Sequence, residues 1–310
     1  MFTVSRDTEI TPLLMCDYIK IHNQRAAKLD VLHRYYTGEH DILKRIKKAS
    51  LANNKVVVNH AKYISLISAG YMCGSPVTYQ SKTNQNLDEL NSWVEEAELA
   101  TQDMDMATGQ SIFGVAYELA YGGEDEDGNA MLKLTTIDPR DAFVVYENNV
   151  TYKPMAACYY YPRHNIANQE LEGYDCVVIT DTKKFEFRIS PEFKLDSEVT
   201  ESVNEFGMVN LFEMYNNNEC QGDFEQQLSL IDAYNKLMSD RVNDKEQFVE
   251  ALMVLKGMTL GDTNEERADT YEKVHRFHLV PRDAAGDVPH GLRDQFHRRT
   301  GRFLLFRTGL

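Results

Sequence analysis

"LIDAYNKLMSDRVNDKEQF", Leu230 to Phe248, repeats apolar residues at three- and four-residue steps and contains neither glycine nor proline, the pattern of an amphipathic helix. The periodicity continues on both sides and predicts one helix from about Asp223 to Lys256. At about 1.5 Å per residue such a rod is roughly 50 Å long. Its expected apolar stripe is Phe224, Leu228, Ile231, Tyr234, Met238 and Val242, then Phe248, Leu252 and Leu255, broken by the polar run "NDKEQ" at 243–247. A stripe so narrow leaves most of the rod facing something polar. No catalytic signature lies in it, so the fold turns on what carries this helix and what it serves.

Working upstream, Leu14, Tyr18, Ile21, Ala26, Leu29, Leu32 and Tyr36 give a helical period from Pro12 to Tyr36, which Gly38 stops. Asn59 is placed to cap a second helix through "AKYISLISAGYMCG", ended by Gly74 and Pro76. A third is expected over about Leu87 to Ser111. After Gly114 the period becomes two: "VAYELAY" and "MLKLTTI" flank the turn "GGEDEDGNA", and "AFVVYE", "MAACYYYP", "YDCVVIT", "KFEFRI" and "MVNLFEMY" follow as strands. Helices first, strands in the middle and a helix afterwards predict an α+β fold, with mixed helices and antiparallel strands over 1–222, a long helix over 223–257 and a further segment over 258–310.

Composition narrows the function. A formal charge of −15 argues against gripping nucleic acid or an anionic membrane by bulk attraction, which needs net basic surface. The five cysteines (Cys16, Cys73, Cys158, Cys176, Cys220) form no CxxC pair, so neither a disulfide framework nor a structural zinc site is expected. "MFTVSRDTEITPLL" has no basic start followed by an apolar stretch, and no run approaches the roughly 20 apolar residues that span a bilayer; neither a membrane segment nor export by its own signal is expected. From Val274 to Leu310 there is no Lys, Glu, Asn, Ser or Ile, yet there are seven Arg and four of the nine His. That change of alphabet, from residues of AT-rich codons to residues of GC-rich ones, predicts a stretch read out of frame; the other reading is a genuine basic tail, "HRRTGRFLLFR".

Motifs with chemistry are weak. No GxxxxGK[ST] occurs, so no phosphate cradle of that kind and no ATP hydrolysis are expected. "GQSIFG" (Gly109, Ser111, Gly114) imitates a nucleophile elbow with its second glycine one residue late, and a helix-to-strand junction is the expected role. "EDEDGNA" imitates a calcium loop, but Gly123 and Leu134 occupy ligand positions, which leaves a hairpin tip. His275 and His278 have a metal-like spacing without a third ligand. Asp138 with Asp181 and Lys183 could imitate a metal-dependent nuclease. "CYYYP" at 158–162 could stack bases, but strand spacing favours core or subunit contact. No catalytic, cofactor or metal residue is assigned from these patterns.

Several stretches together resemble the portal proteins of tailed bacteriophages, of the siphophage type found in phages of Gram-positive hosts. They are "YYTGEHDI" (35–42), "NNKVVVNHAKYI" with "GYMCGSPVTY" (53–79), "GVAYE" (114–118), "DPRD" (138–141) and above all "GDFEQQLSLIDAYNKLMSDRVNDKEQFVEALMVLKG" (222–257). The resemblance covers about residues 30–260. It implies a ring of about twelve copies at one capsid vertex, through which a motor containing the terminase large subunit drives double-stranded DNA, assembled with major capsid and scaffolding proteins and later joined by a head-tail adaptor. It implies no enzyme activity, no cofactor and no membrane, and a place in the virion after assembly in the bacterial cytoplasm. Residues 1–222 would be a wing-like domain, 223–257 the helix from wing to stem, and 258–310 the start of a clip. Relatives typically continue further, through a returning stem helix and a crown, so the chain would be a truncated or frameshifted copy; "GMVNLFEMY" also lacks a proline often found before the equivalent strand.

A conduit must not hold its cargo, because each phosphate neutralised by a fixed cation adds affinity and so friction. Charges act over roughly 8 Å at physiological salt, which makes Lys236, Arg241 and Lys245 candidate light contacts to DNA. The other reading pairs them with Asp232, Asp240 and Asp244 on the helix surface. Outside this family the alternatives are the nuclease above and a non-enzymatic virion adaptor.

Overall fold

The computed structural model describes residues 1–48, 52–83, 85–124, 128–249 and 263–266. The chain divides into two compact units, one of Met1–Arg45 with Lys55–Ser239 and another of Ile46–Asn54 with Asp240–Leu310. The first is mixed α and β, as the sequence predicts.

Helix α1 (Pro12–Thr37) begins where Thr11 accepts a hydrogen bond from the Leu14 amide at 3.3 Å and Pro12 presets the first turn. It ends at Gly38, whose φ of 93° allows the Glu39 amide to reach Arg34 O (2.7 Å) and the Gly38 amide to reach Tyr35 O (3.3 Å), a Schellman closure. Its buried face is Met15, Cys16, Ile19, His22, Ala26, Leu32 and Tyr35, with Leu14, Tyr18, Leu29 and Tyr36 partly buried against the cores; Ile21, expected inside, is exposed. Helix α2 (His60–Cys73) is capped by Asn59 as predicted, with Asn59 Oδ1 accepting from the Lys62 amide at 3.0 Å. The expected third helix is two, α3 (Asp88–Glu96) and α4 (Leu99–Phe113), because Glu98 takes a left-handed φ of 51° between them. Periodicity alone carried the prediction across that break.

The strands are β1 (Phe2–Val4), β2 (Val115–Glu124), β3 (Ala130–Ile137), β4 (Ala142–Glu147), β5 (Pro154–His164), β6 (Leu171–Thr180), β7 (Lys183–Ile189), β8 (Thr200–Val203) and β9 (Leu211–Tyr215). They form a six-stranded sheet ordered β1-β4-β5-β6-β7-β8 and a three-stranded sheet ordered β3-β2-β9. Every pairing is antiparallel except β1 with β4, which is parallel. Strands β1 and β8, three and four residues long, escaped the sequence reading because alternation over so few residues is not a signal. The β2–β3 hairpin is present, with 125–127 of its tip outside the described residues.

Alternation sorts the strand side chains into two cores. Phe143, Val145, Cys158, Tyr160, Cys176, Val178, Phe185 and Phe187 face Met15 and Ile19 of α1. Ala142, Val144, Ala157 and Ile179 turn the other way, onto Tyr117, Leu119, Ile137 and Leu211 of the small sheet. The five cysteines are free, and Cys16, Cys158 and Cys176 are buried in the first of these cores. Between the sheets Glu213 of β9 accepts hydrogen bonds from the hydroxyls of Tyr117 (2.6 Å), Tyr146 (2.7 Å) and Tyr215 (2.6 Å), so one carboxylate ties β2, β4 and β9. A third core joins Leu32 and Tyr35 of α1, Ala61 of α2, Ile112 and Phe113 of α4, and Phe224 and Ile231.

Ile231 belongs to helix α5 (Leu228–Val249), which follows a 3-10 turn at Glu225–Gln227. The prediction had the helix begin at 223; the remainder of its expected span, 250–257, lies outside the described residues.

Candidate functional site

The stripe expected to bury α5 is only half right. Phe224 and Ile231 are buried, but Tyr234 and Val242 are exposed, as are Leu230 (65%) and Leu237 (64%). The positions that follow Ile231 at four-residue steps on the inner side are polar: Asn235 and Ser239 have no exposure, and Asn243 has 1%. Such groups are costly inside a protein unless they are hydrogen-bonded, and the extended chain at 52–59 supplies the partners.

In the first unit the Val58 amide donates to Asn235 Oδ1 (2.9 Å) and the Val56 amide to Ser239 Oγ (2.9 Å). Asn235 Nδ2 also meets His40 Nδ1 at 2.7 Å, and His40 Nε2 lies 2.9 Å from Tyr35 O. The match is geometric: two residues of extended chain advance about 6.6 Å and four of a helix about 6 Å, so alternate amides fall beside every fourth side chain. Tyr35 donates its hydroxyl to both carboxylate oxygens of Asp232 (2.7 and 2.8 Å), and burial, followed by that carboxylate, raises the phenol above its ordinary range. In the second unit the Asn54 amide donates to Asn243 Oδ1 at 2.7 Å, Asn54 Nδ2 bonds Glu246, and Lys47 pairs with Asp240 at 3.1 Å. The signal for this side of α5 was present as small polar residues at 235, 239 and 243; an apolar-stripe reading passes over it.

Helix α2 carries a second inversion. Its buried residues are the small ones, Ala61, Ser65 and Ala69, whereas Tyr63 (62%), Leu66 (51%), Ile67 (53%) and Tyr71 (92%) stand outward. Burying one such side chain is worth roughly 1.5–3 kcal/mol, so contiguous outward apolar residues mark an interaction surface. Near the N-terminus of α2, His60 makes an edge contact with Tyr234 of α5 at 5.1 Å between ring centres.

Lys236, Arg241 and Lys245 are all exposed on α5. None forms an ion pair among the described residues; Asp232 accepts from Tyr35 and Asp240 pairs with Lys47. By helical spacing Arg241 and Lys245, four residues apart, share a side that a step of five or nine residues does not give Lys236. Asp138 is held by Arg140 (2.7 Å), which also reaches Asp30 (3.3 Å), and Lys183 pairs with Glu201 (2.7 Å). Asp181 is exposed in the turn after β6. Asp138 and Lys183 are thus engaged with different partners. Ser111 ends up buried in α4 before the left-handed Gly114, a helix-to-strand junction. In "CYYYP", Cys158 and Tyr160 are core while Tyr161 is exposed. Among the described residues no group of three or more His, Cys, Asp or Glu is placed to hold a metal, and no helix is long and apolar enough to cross a membrane. His275, His278 and the rest of 267–310 lie outside the described residues.

The family model described as "Phage portal protein, SPP1 Gp6-like" matches residues 17–288, which includes the first part of the arginine-rich segment. The chain is 24% identical over 251 residues to the portal protein of Clostridium phage phiCD119, covering 74% of this chain and 55% of that protein. It is 23% identical over 249 residues to the portal protein of Bacillus phage SPP1, covering 72% of this chain and 48% of that protein. The chain spans about half the length of these curated relatives.

Proposed function

Because this chain belongs to the SPP1 Gp6-like family of phage portal proteins, we propose that it is one subunit of a closed ring at a capsid vertex, the passage for DNA during packaging and ejection. The observation that carries this reading is α2, with small residues inside and Tyr63, Leu66, Ile67 and Tyr71 outside. A face of that composition gains stability when it is covered, and a ring of like copies covers it on every subunit. Helix α5 fits the same role: Asn235 and Ser239 on its inner side are held by hydrogen bonds, and its outer side offers Leu230, Tyr234 and Leu237 for contact.

In this reading 1–222 is the wing-like domain, 223–257 the helix leading to the stem and 258–310 the beginning of the clip. The ring has about twelve copies; the terminase large subunit and head-tail adaptor dock on it, and major capsid and scaffolding proteins surround it during assembly. No chemistry is performed by the subunit itself. An acidic conduit repels phosphate, and Lys236, Arg241 and Lys245 are the light contacts that keep a duplex centred without binding it; the last two can meet the same strand. The test is electron microscopy of the purified protein under assembly conditions. Closed rings support the proposal, and a population of monomers at every concentration overturns it.

A further inference from the structure

Residues 42–87 contain no Asp or Glu, although the chain has 48 of them, and they carry seven Lys and Arg. Residues 88–105, immediately after, contain seven Asp and Glu and no Lys or Arg. Charge is therefore divided sharply between neighbouring segments, and each segment carries an exposed apolar helix face. On α2 this is Tyr63, Leu66, Ile67 and Tyr71, with Lys62 exposed beside them. On α3 no residue is buried; Leu90, Trp93 and Val94, spaced for one helix side, are only partly covered, between the exposed acids Glu89 and Glu96. Trp93 anchors α3 within its own subunit by donating Nε1–H to Leu132 O at 2.8 Å, while Leu90 stays exposed and Val94 only partly covered.

We propose that the outward face of α2 in one subunit receives α3 of a neighbouring copy, Leu90 and Val94 entering beside Ile67 while Lys62 faces Glu89 and Glu96. The proposal rests on the ring reading and deepens it by naming which two surfaces meet. The two surfaces differ, so the contact is heterologous, the kind that generates a ring when its rotation closes. Each surface is complementary to the other and neither to itself: two α2 faces bring lysines together, and two α3 faces bring carboxylates together, and like charges in register are unfavourable. Gly70 supports the fit. It lies between Leu66 and Tyr71 on α2, and a Cβ built there meets nothing within 4 Å, so the helix has a notch through which another backbone can come close.

Cysteine cross-linking tests this in the assembled protein. In a Cys73→Ser, Cys220→Ser background, Ile67→Cys and Val94→Cys are combined in one chain and the assembled ring is oxidised. The expected result is a covalent ladder rising to the copy number of the ring on a non-reducing gel, with no cross-linked dimer from either cysteine alone. A second variant guards against a trivial failure: Lys62→Glu should lower the ring fraction about tenfold, and adding Glu89→Lys with Glu96→Lys should restore it. Intact rings that give no ladder and ignore the charge reversal overturn the proposal while leaving the ring reading standing, and assign the α2 face to another occupant such as an acidic partner protein. A disulfide-linked dimer from Ile67→Cys alone overturns it in favour of a two-fold contact. If the unmodified chain forms no rings, both readings fall.

Discussion

His22 sits buried with Nδ1 2.7 Å from the Tyr160 hydroxyl and a second hydrogen bond to the Pro139 carbonyl. A carbonyl can only accept, so the partners fit a neutral ring that donates from Nε2 and accepts at Nδ1. Burial pushes its pKa from 6.5 down to about 4. The unfolded chain therefore takes up a proton, as pH falls through 6.5, that the fold refuses until about 4. Stability contributed by the neutral ring is complete above pH 6.5 and drains away below it, by about 3 kcal/mol in all. Urea midpoints at pH 7 and 4.5 should converge in His22→Gln relative to the unmodified protein; an unchanged difference would contradict the assignment. Asp141 acts in the opposite direction. Burial, then the neighbouring Asp138, raises its pKa to about 6, so the fold is penalised as pH rises from the ordinary carboxylate range through 6. Asp141→Asn should stabilise at pH 7.5 and do little at pH 4, as thermal melts at the two pH values will show. Gly114 is a steric case: at φ 80°, an added Cβ would lie 2.3 Å from Cys220 O. Gly114→Ala is expected to cost at least about 1–3 kcal/mol, read as a lower urea midpoint.

The Asn235 and Ser239 side chains decide how α5 is held. Asn235→Leu keeps the volume but strands the Val58 amide and a His40 ring nitrogen, and Ser239→Ala strands the Val56 amide. Each buried group left unpaired costs about 1–3 kcal/mol. Hydrogen exchange should accelerate at Val58 in the first variant and at Val56 in the second, with amides of β5 and β6 unaffected. These elements also show what the sequence could disclose. Gly38, Asn59 and Gly114 state their structural roles locally, because caps and left-handed turns are chosen by one or two residues, and the end of α1 and the starts of α2 and β2 follow from them. The kink at Glu98 has no such marker, since a non-glycine residue with positive φ is imposed by packing on both sides. The inner side of α5 was illegible for a different reason: a polar side chain is buried only if something distant satisfies it, and the amides of Val56 and Val58 are nearly 180 residues away in the chain. For the same reason the parallel pairing of β1 with β4, across about 140 residues, could not be foreseen.

At the scale of the molecule, the family could be recognised from ordered short motifs, while the surface proposed for contact between copies became visible only when α2 was seen to turn its large apolar residues outward. The separation of basic 42–87 from acidic 88–105 should steer assembly. Association between complementary charged surfaces slows as salt shortens the reach of charge. Raising ionic strength from about 0.05 to 0.5 M should slow ring formation about tenfold or more while leaving the subunit's melting temperature nearly unchanged, followed by light scattering and calorimetry; equal assembly rates would contradict steering. The three sulfurs sealed between α1 and the large sheet, Cys16, Cys158 and Cys176, have a practical corollary. Burial raises all three thiols above their ordinary value, so they stay protonated and unreactive while the sheet is closed, and alkylation can proceed only during excursions that part the helix from it. Pulse labelling with a maleimide, read by mass spectrometry, makes them an internal stopwatch for how often each subunit breathes, whether it is alone or seated among its fellows.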